Sequence, residues 1–214
     1  EMSGSLACWR AADLCLNDPE SSFLLEEGEK AMSGIDLMVQ EHEHILKFVD
    51  IIRSACCRVL DGFPVDADDF QRMLTFARTY ADHHHHGKEE QILFREMRAR
   101  LGQTAEHLIQ HGMLVEHDMG RFHIAELESA LERYKATGST MDKLEILTHA
   151  AGWANLLQRH IEKENNAVYT FAKRMLPSDV LKQIDAESEA YEEAERANTA
   201  QALTLLEQLS ETYL

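Results

Sequence analysis

The amino-acid sequence predicts an all-α protein, an up-down-up-down four-helix bundle with additional C-terminal helices. Apolar residues recur at intervals of three and four over long stretches, which is the period of an amphipathic helix, and no stretch shows the alternation typical of a strand. Only 3 prolines and 10 glycines occur in 214 residues, so turns should be few and helices long. Long helices with short connections favour antiparallel neighbours, as in such a bundle.

The first helix is predicted over residues 35–61. Ile35, Met38 and Ile45 belong to one apolar stripe of this stretch, and Gly62 ends the pattern. Glycine directly after a periodic stretch is a common helix stop. The sequence therefore places one long amphipathic helix at the start of the bundle.

The second helix should begin at a capping aspartate, Asp66 or Asp68, because an Asp side chain accepts hydrogen bonds from the first N–H groups of a helix. It should continue to about Leu101, before a glycine. A third helix, capped by Thr104, should reach about residue 136. Both lengths are those of bundle helices that span a whole domain.

The fourth helix should be capped by Ser139 or Thr140 and end near residue 175, before a proline. Beyond that proline, Ser178 can cap a further acidic amphipathic helix, and residues 199–213 are predicted to form a last short one. We expect these C-terminal helices to pack on the bundle or on a partner.

The chain therefore divides into three predicted segments. Residues 1–34 form an N-terminal extension, 35–176 the bundle, and 177–214 an acidic helical tail. The extension is polar and without periodicity, so it is expected to be weakly structured, or not native if the natural start is Met32.

The charge balance restricts the partners of the protein. The chain has 21 Lys+Arg against 38 Asp+Glu, a net charge of −17, which disfavours nucleic acid and anionic membranes as partners. No stretch approaches the roughly 18 apolar residues of a membrane-spanning helix, and no secretory signal is evident. The four cysteines, at positions 8, 15, 56 and 57, form no CxxC pair and are predicted to be reduced thiols of a cytoplasmic protein.

A short motif, His-x-x-Lys-Glu, occurs twice, at His85–Glu89 and at His160–Glu164. Residues four apart share one face of a helix, so each motif presents an imidazole and a carboxylate together. The two copies lie on the second and fourth predicted helices. This repetition on alternate helices predicts a shared site rather than two solvated faces.

The other two bundle helices each supply one histidine on an apolar stripe, His42 and His117. Either residue alone would be read as a core histidine with a hydrogen-bond partner. A histidine on each of four helices instead predicts a buried metal site, since imidazole and carboxylate together suit iron, manganese or zinc. Two glutamates from different helices can bridge two ions, and without metal their burial would be costly.

The register of the second helix stays open at this point. His86 is rotated by about 100° from His85 on the helix, and it either reaches an outer coordination position or takes no part in the site. His86 and Glu90 also have the same spacing as His85 and Glu89. The remaining polar neighbours are expected to be solvated: His83, His84, Lys88 and Lys163. Five further histidines are expected at the surface or behind the ligands: His44, His107, His111, His123 and His149.

Four sequence stretches carry a resemblance to a known family: GlnGluHis at 40–42, AspHisHisHisHisGlyLysGluGluGlnIleLeuPhe at 82–94, GluHisAspMetGlyArg at 116–121 and HisIleGluLysGluAsnAsn at 160–166. Over roughly residues 35–175 the chain resembles the hemerythrin-like, HHE cation-binding proteins. The resemblance implies a non-haem centre of two Fe ions in a four-helix bundle, with Zn or Mn as possible substitutes. It implies as ligands His42, His85, Glu89, His117, His160 and Glu164, with the two glutamates as bridges.

One departure from the family bears on function. Oxygen-carrying hemerythrins have a second histidine four residues before the third-helix ligand, and this chain has Met113 there. The coordination is therefore more open unless His86 joins it. An open iron favours binding or reducing O2, peroxide or nitric oxide over stable oxygen carriage.

The resemblance predicts a binding protein rather than an enzyme: one that binds, senses or detoxifies O2, NO or peroxide, or stores iron. One alternative is a di-iron oxidase or peroxidase-like enzyme, whose Glu-x-x-His spacing occurs here only at Glu41–His44. Another is a zinc-filled interaction bundle, with a homo-oligomer or a protein partner held through the C-terminal helices.

Overall fold

The computed structural model describes residues 32–214, which form five helices and no strand. The helices are α1 (Gly34–Leu60), α2 (67–100), α3 (102–137), α4 (140–175) and α5 (Ser178–Tyr213). The predicted all-α class is therefore confirmed. The prediction for the N-terminal extension, including the choice of Met32 as start, rests on residues that lie almost wholly outside the described part of the chain.

Helix starts are set by local capping chemistry. Ser33, Asp66 and Ser139 accept hydrogen bonds from the backbone N–H three residues further on, as capping side chains do. The prediction of Thr104 as a cap is wrong, because α3 begins at Gly102 without a side-chain cap. Gly102 has φ +66°, a conformation open to glycine, and it lets one residue separate α2 from α3.

The C-terminal segment also differs from its prediction. Residues 178–213 form one continuous helix, α5, instead of two, and its cap position is Pro177 without a side-chain bond. No glycine or proline interrupts this stretch, and only such residues reliably stop a helix that tertiary packing supports. The tail packs on the bundle, as expected, along α1 and α2.

Neighbouring bundle helices run in opposite directions, as their contacts show. Phe48 of α1 packs on Phe76 of α2 at 4.5 Å between ring centroids, whereas His44 contacts Tyr80 further along α2. Opposed pairs join the other neighbours in the same way: Arg78–Glu128 and Glu90–His117 between α2 and α3, Glu116–His160 and Phe122–His149 between α3 and α4, and Asp36–Lys173 and Arg53–Asn155 between α1 and α4.

The apolar core is divided into two clusters along the helices. The first draws on residues 45–59, 70–81, 124–131 and 146–161 of the four bundle helices. The second draws on residues 35–38, 92–97, 105–113 and 168–176. Each helix thus passes from one apolar cluster to the other through a buried polar band. That band holds every histidine and glutamate predicted as a ligand.

Two smaller predictions can be compared with the described residues. Among helices α1 to α5, none is both long enough and apolar enough to cross a membrane. Cys56 is buried and its neighbour Cys57 is exposed, and both are free thiols. The two sulfhydryl groups therefore face different environments, as their adjacency on a helix predicts.

Candidate metal centre

Three of the four bundle helices change from α to π geometry within or close to the polar band. The π segments are Ala77–His86 and Glu89–Leu93 in α2, Ile109–Met113 in α3, and Glu164–Val168 in α4. A π turn is wider than an α turn and is found most often at functional sites. In α2, the consecutive residues His84, His85 and His86 are all buried: His85 and His86 belong to the donor groups described below, and His84 contacts α5.

A first set of donors, the three-histidine group, consists of His86, Glu89, His117 and His160, whose ligand atoms lie within 4.8 Å of one another. The rings of His86 and His117 stack at 3.8 Å between centroids. Glu89 Oε2 lies 3.5 Å from His117 Nε2. The structure thus brings His86 into the centre, a position that the sequence left open.

A second set, the two-histidine group, consists of His42, His85, Glu89 and Glu164, again within 4.8 Å of one another. The Nε2 atoms of His42 and His85 lie 2.8 Å apart. Two nitrogens bound at right angles to one ion, with bonds of about 2.0–2.1 Å, would be about 2.9 Å apart. The spacing therefore fits two ligands of one ion.

The two glutamates lie between these groups in different ways. Glu164 extends one oxygen to each side, with Oε1 3.2 Å from His160 Nε2 and Oε2 3.3 Å from His42 Nε2. Glu89 directs a single oxygen to both sides, since Oε2 lies 3.5 Å from His117 Nε2 and 3.8 Å from His85 Nε2. Both geometries suit a carboxylate that bridges two cations.

Tyr169 explains why Glu89 uses one oxygen only. Its hydroxyl donates a 2.6 Å hydrogen bond to Glu89 Oε1, and its ring stacks on His42 at 5.5 Å between centroids. The side chain is fully buried. Burial and the nearby Glu89 and Glu164 raise the pKa of Tyr169 well above its usual value, so it remains a donor.

All five imidazoles have a partner on the side that faces away from the centre. In each ring Nδ1 contacts a side-chain oxygen and Nε2 points inward. The pairs are His42–Asn165 at 2.9 Å, His85–Glu41 at 2.8 Å, His86–Asp82 at 3.3 Å, His117–Glu90 at 2.6 Å and His160–Glu116 at 2.9 Å. Such partners fix the tautomer and the orientation of metal-binding histidines.

Most of the inward atoms lack a partner, whereas the Nε2 atoms of His42 and His85 contact each other. Within the described residues, six buried ligand atoms form no hydrogen bond: His86 Nε2, His117 Nε2, His160 Nε2, Glu89 Oε2, and Oε1 and Oε2 of Glu164. Burial without a partner is costly for a polar group and more so for a charged one. A pair of cations between the two groups would satisfy all six atoms, so the residues present fit a two-metal site.

The electrostatics of the centre agree with a site for cations. Burial and the adjacent Glu164 carboxylate raise the pKa of Glu89 well above its usual value. Burial and the neighbouring His42 lower the pKa of His85 to about 4, and burial and stacked His117 lower the pKa of His86 well below its usual value. Neutral imidazoles are the form that binds metal, and a cation would relieve the repulsion between the two carboxylates.

The repeated His-x-x-Lys-Glu motif has a clear structural meaning. In each copy the His and the Glu face the centre, and the Lys contacts the glutamate behind that His. Lys88 bonds Glu41, which holds His85, and Lys163 bonds Glu116, which holds His160. Lys88 is buried in this support, which contradicts its predicted role as a solvated neighbour. Lys163 bonds Glu116 but is half exposed, in agreement with its prediction.

Two of these polar residues are buried against expectation. Lys88 is 0% exposed and His84 2% exposed, because α5 covers this side of α2. Lys88, Glu41 and Glu192 form ion pairs, and His84 Nε2 lies 3.1 Å from Lys88 Nζ. His84, Glu41 and Glu192 could by themselves hold a cation, but the ammonium of Lys88 already fills that position. His83 is exposed, as predicted.

The remaining histidines lie outside the two groups. His44 Nδ1 contacts the Tyr80 hydroxyl at 2.6 Å, and the Nδ1 atoms of His123 and His149 are 3.2 Å apart. His107 and His111 are exposed on α3.

A cavity of about 130 Å³ borders the three-histidine group. It reaches His86 and His117, and its walls include apolar side chains such as Ala81 and Trp153. Arg121 and Asp82, an ion pair at 2.8 Å, also line it. The cavity therefore lies directly beside two residues of the three-histidine group.

The sequence prediction missed most of the supporting residues. Glu41 and Glu116 each precede a predicted ligand, His42 and His117, and each supports a histidine on the adjacent helix instead. The available signal was the repeated Glu-His pair on alternate helices. The amide partner Asn165 gave no such signal.

Comparison with known protein families gives a match over more than half of the chain. The family model described as Hemerythrin HHE cation binding domain matches residues 33–172. Neither the curated proteins nor the solved structures gave a match. The matched residues cover helices α1 to α4 down to position 172 and every residue of the two donor groups.

Proposed function

Because the chain belongs to the hemerythrin HHE cation-binding family, we propose that it binds two iron ions within an up-down-up-down four-helix bundle formed by α1 to α4. The three-histidine group would hold one ion and the two-histidine group the other. Seven residues form the proposed ligand set: His42, His85, His86, Glu89, His117, His160 and Glu164.

One observation carries this proposal. Five imidazoles have Nδ1 engaged by an outer partner and Nε2 turned toward two buried carboxylates, and six of the inward atoms have no hydrogen bond within the described residues. A core histidine that serves packing alone needs no such orientation. The arrangement instead matches donors that are oriented in advance for cations.

Oxygen-carrying hemerythrins have a histidine at the position of Met113, and in this chain we assign the fifth histidine to His86 instead. Met113 is buried in the apolar cluster of α3 and supplies no nitrogen, whereas His86 from α2 lies with His117 and His160. The proposed centre thus has five histidines, three on one side and two on the other.

We further propose that the centre binds a small ligand, namely O2, nitric oxide or peroxide. Bound iron would supply redox chemistry and affinity for diatomic molecules. The chain itself would supply five imidazoles, the bridging carboxylates, the Tyr169 donor beside Glu89, and the cavity of about 130 Å³ next to His86 and His117. This volume exceeds that of a diatomic ligand, and its partly apolar walls suit an uncharged molecule.

Binding is favoured over oxidase chemistry by the position of one pair. The Glu-x-x-His spacing of ferritin-type enzymes occurs at Glu41–His44, and neither residue belongs to a donor group: Glu41 supports His85, and His44 contacts Tyr80.

We propose the cytoplasm as compartment, because its reducing conditions maintain free thiols such as Cys57.

The test is metal analysis followed by ligand titration. Protein expressed with ample iron and purified without oxygen should contain close to two irons per chain. Its visible and near-ultraviolet absorption should change when O2 or NO is added. His117→Ala should lose both properties, whereas the matched control His123→Ala, on the same helix but outside both groups, should retain them.

Other outcomes would overturn the proposal. One zinc per chain, or no metal, would indicate an interaction bundle instead of a di-iron centre. Two irons without any spectral response to O2, NO or peroxide would leave iron binding intact but exclude the proposed small-ligand function, and iron storage would then be the remaining role to measure.

A further inference from the structure

The two copies of the His-x-x-Lys-Glu motif differ in one respect. Lys163 is half exposed and pairs with Glu116 alone. Lys88 is fully buried and is shared between Glu41 and Glu192. Glu192 lies on α5, beyond the residues that match the family. The C-terminal helix therefore adds a contact to one copy that the other copy lacks.

Helix α5 contacts the histidine run of α2 through several specific bonds. The Tyr191 hydroxyl donates to the backbone oxygen of His83 at 2.8 Å. Thr199 Oγ1 lies 3.2 Å from His84 Nδ1, and Glu192 Oε1 lies 3.2 Å from His84 Nε2. Both ring nitrogens of His84 are thus engaged by α5, which is a docking geometry rather than a loose apolar contact.

The close approach of α5 depends on a glycine in the motif itself. Gly87 lies directly before Lys88, and a Cβ atom at this position would be 2.7 Å from the Tyr191 hydroxyl. A Cβ here would require the Tyr191 hydroxyl, the far end of a side chain, to move, which would disturb its hydrogen bond to His83. The sequence of the second helix is therefore adapted to the presence of α5.

The contacts continue from α5 to a proposed metal ligand. Glu41 uses Oε1 for Lys88 and His84, and Oε2 for His85 Nδ1 at 2.8 Å. Fixing one oxygen of a carboxylate fixes the direction of the other. A buried ammonium also needs its full set of partners, because an uncompensated buried charge is strongly destabilising. Loss of one partner would therefore disturb Lys88 and the carboxylate that it holds.

We propose that α5 is a component of the metal centre and that Glu192 is a positioning residue for His85. It acts through Lys88 and Glu41, and so it sets the affinity of the two-histidine group for its ion. Among residues 32–214, the three-histidine group has no counterpart of this support from α5. This inference rests on the proposed function, since it presupposes that both groups bind metal.

The experiment uses the full chain loaded with cobalt(II), a paramagnetic substitute for iron. Two stepwise metal affinities are measured by competition with a chelator, and the exchangeable ring N–H protons of the bound histidines are followed by NMR. Glu192→Gln is compared with Glu195→Gln. Glu195 lies on the same helix and faces exposed His83 at 3.6 Å, outside the chain of contacts.

We expect Glu192→Gln to weaken one of the two affinities by about tenfold, the lower end of the range for outer partners of metal ligands. The N–H signal of His85 should shift while the other four remain in place. Glu192→Asp should restore part of the affinity, and Glu195→Gln should behave like the wild type. A purely structural role of α5 would change both affinities together and no single N–H signal.

The motif repeat offers a second comparison. Lys88→Gln should affect the two-histidine group, and Lys163→Gln the His160 side, so the two variants should lower different affinities. If the wild type binds two ions and Glu192→Gln and Glu195→Gln change the affinities equally, only the proposed role of α5 is overturned. A wild type that binds no metal would instead overturn the proposed function, so the two failures are distinguishable.

Discussion

The outer partners of the histidines should make the two metal positions unequal. In the three-histidine group every ring contacts a carboxylate, whereas in the two-histidine group one partner is the neutral amide of Asn165. A carboxylate behind an imidazole raises its basicity and strengthens its bond to metal. Replacing Glu90 with Gln removes one such charge, from His117, while keeping the shape of the side chain.

The size of the effect follows from the contact geometry. Glu90 Oε1 lies 2.6 Å from His117 Nδ1, a short and strong bond, and outer-partner substitutions cost about 10- to 100-fold in metal affinity. Glu90 is, however, 29% exposed and shares its charge with Arg121 at 2.7 Å. Solvent and the guanidinium screen the carboxylate, so we expect about tenfold, or about 1.4 kcal/mol.

The assay is a stepwise titration with iron(II) under anaerobic conditions against a competing chelator. Glu90→Gln should lower one affinity and leave the other unchanged. Asn165→Asp, which places a carboxylate behind His42, should raise the other affinity by a similar factor. If Glu90→Gln lowers both affinities equally, or neither, the outer carboxylates do not tune individual ions and the reasoning is refuted.

Three further predictions concern the cavity, the docked helix and the acid stability. Ala81→Leu should fill part of the cavity beside the centre and stabilise the fold by about 1 kcal/mol. It should also slow the association of NO, measured by stopped flow, without changing the metal content. An unaltered association rate would exclude the cavity as an access route. Gly87→Ala alone should not raise the free energy of unfolding, because its Cβ would meet the Tyr191 hydroxyl at 2.7 Å. In a Tyr191→Phe background the same substitution should raise the free energy of unfolding by up to about 1 kcal/mol through helix propensity. Denaturant unfolding of the wild type, the two single variants and the double variant tests this. The hydrogen bond with His160, opposed by burial, lowers the pKa of Glu116 to about 2. The Glu116 carboxylate therefore stabilises the metal-free protein above its ordinary pKa, and this stabilisation is lost as pH falls toward 2. Glu116→Gln should flatten the curve of unfolding free energy against pH over this range, and an unchanged curve would argue against the contact.

Much of the architecture depends on local information that a sequence carries directly. The caps at Asp66 and Ser139 require only a side-chain oxygen and the N–H groups that follow it. The pairing of His85 with Glu89, and of His160 with Glu164, requires only that residues four apart share a helix face. These features were predictable because they involve one helix at a time.

Other features depend on neighbouring helices and could not be read from one stretch. His86 joins His117 and His160 while its neighbour His85 joins His42. His85 and His86 both lie in a π segment of α2, and no local propensity predicts a π turn. Glu41 supports a histidine of α2 rather than its own neighbour. Both arrangements are fixed only when α1 to α4 pack around the polar band.

The sequence by itself determined that this protein is helical and that it gathers imidazoles and carboxylates in one place, since period and spacing act within single helices. Only the tertiary structure decided which partner each group finds. Lys88 shows the difference most clearly: exposed in any isolated helix, it is buried here because α5 brings Glu192 to the carboxylate of Glu41. Charge pairing between distant segments is a property of the packed chain, and the local pattern of residues does not contain it.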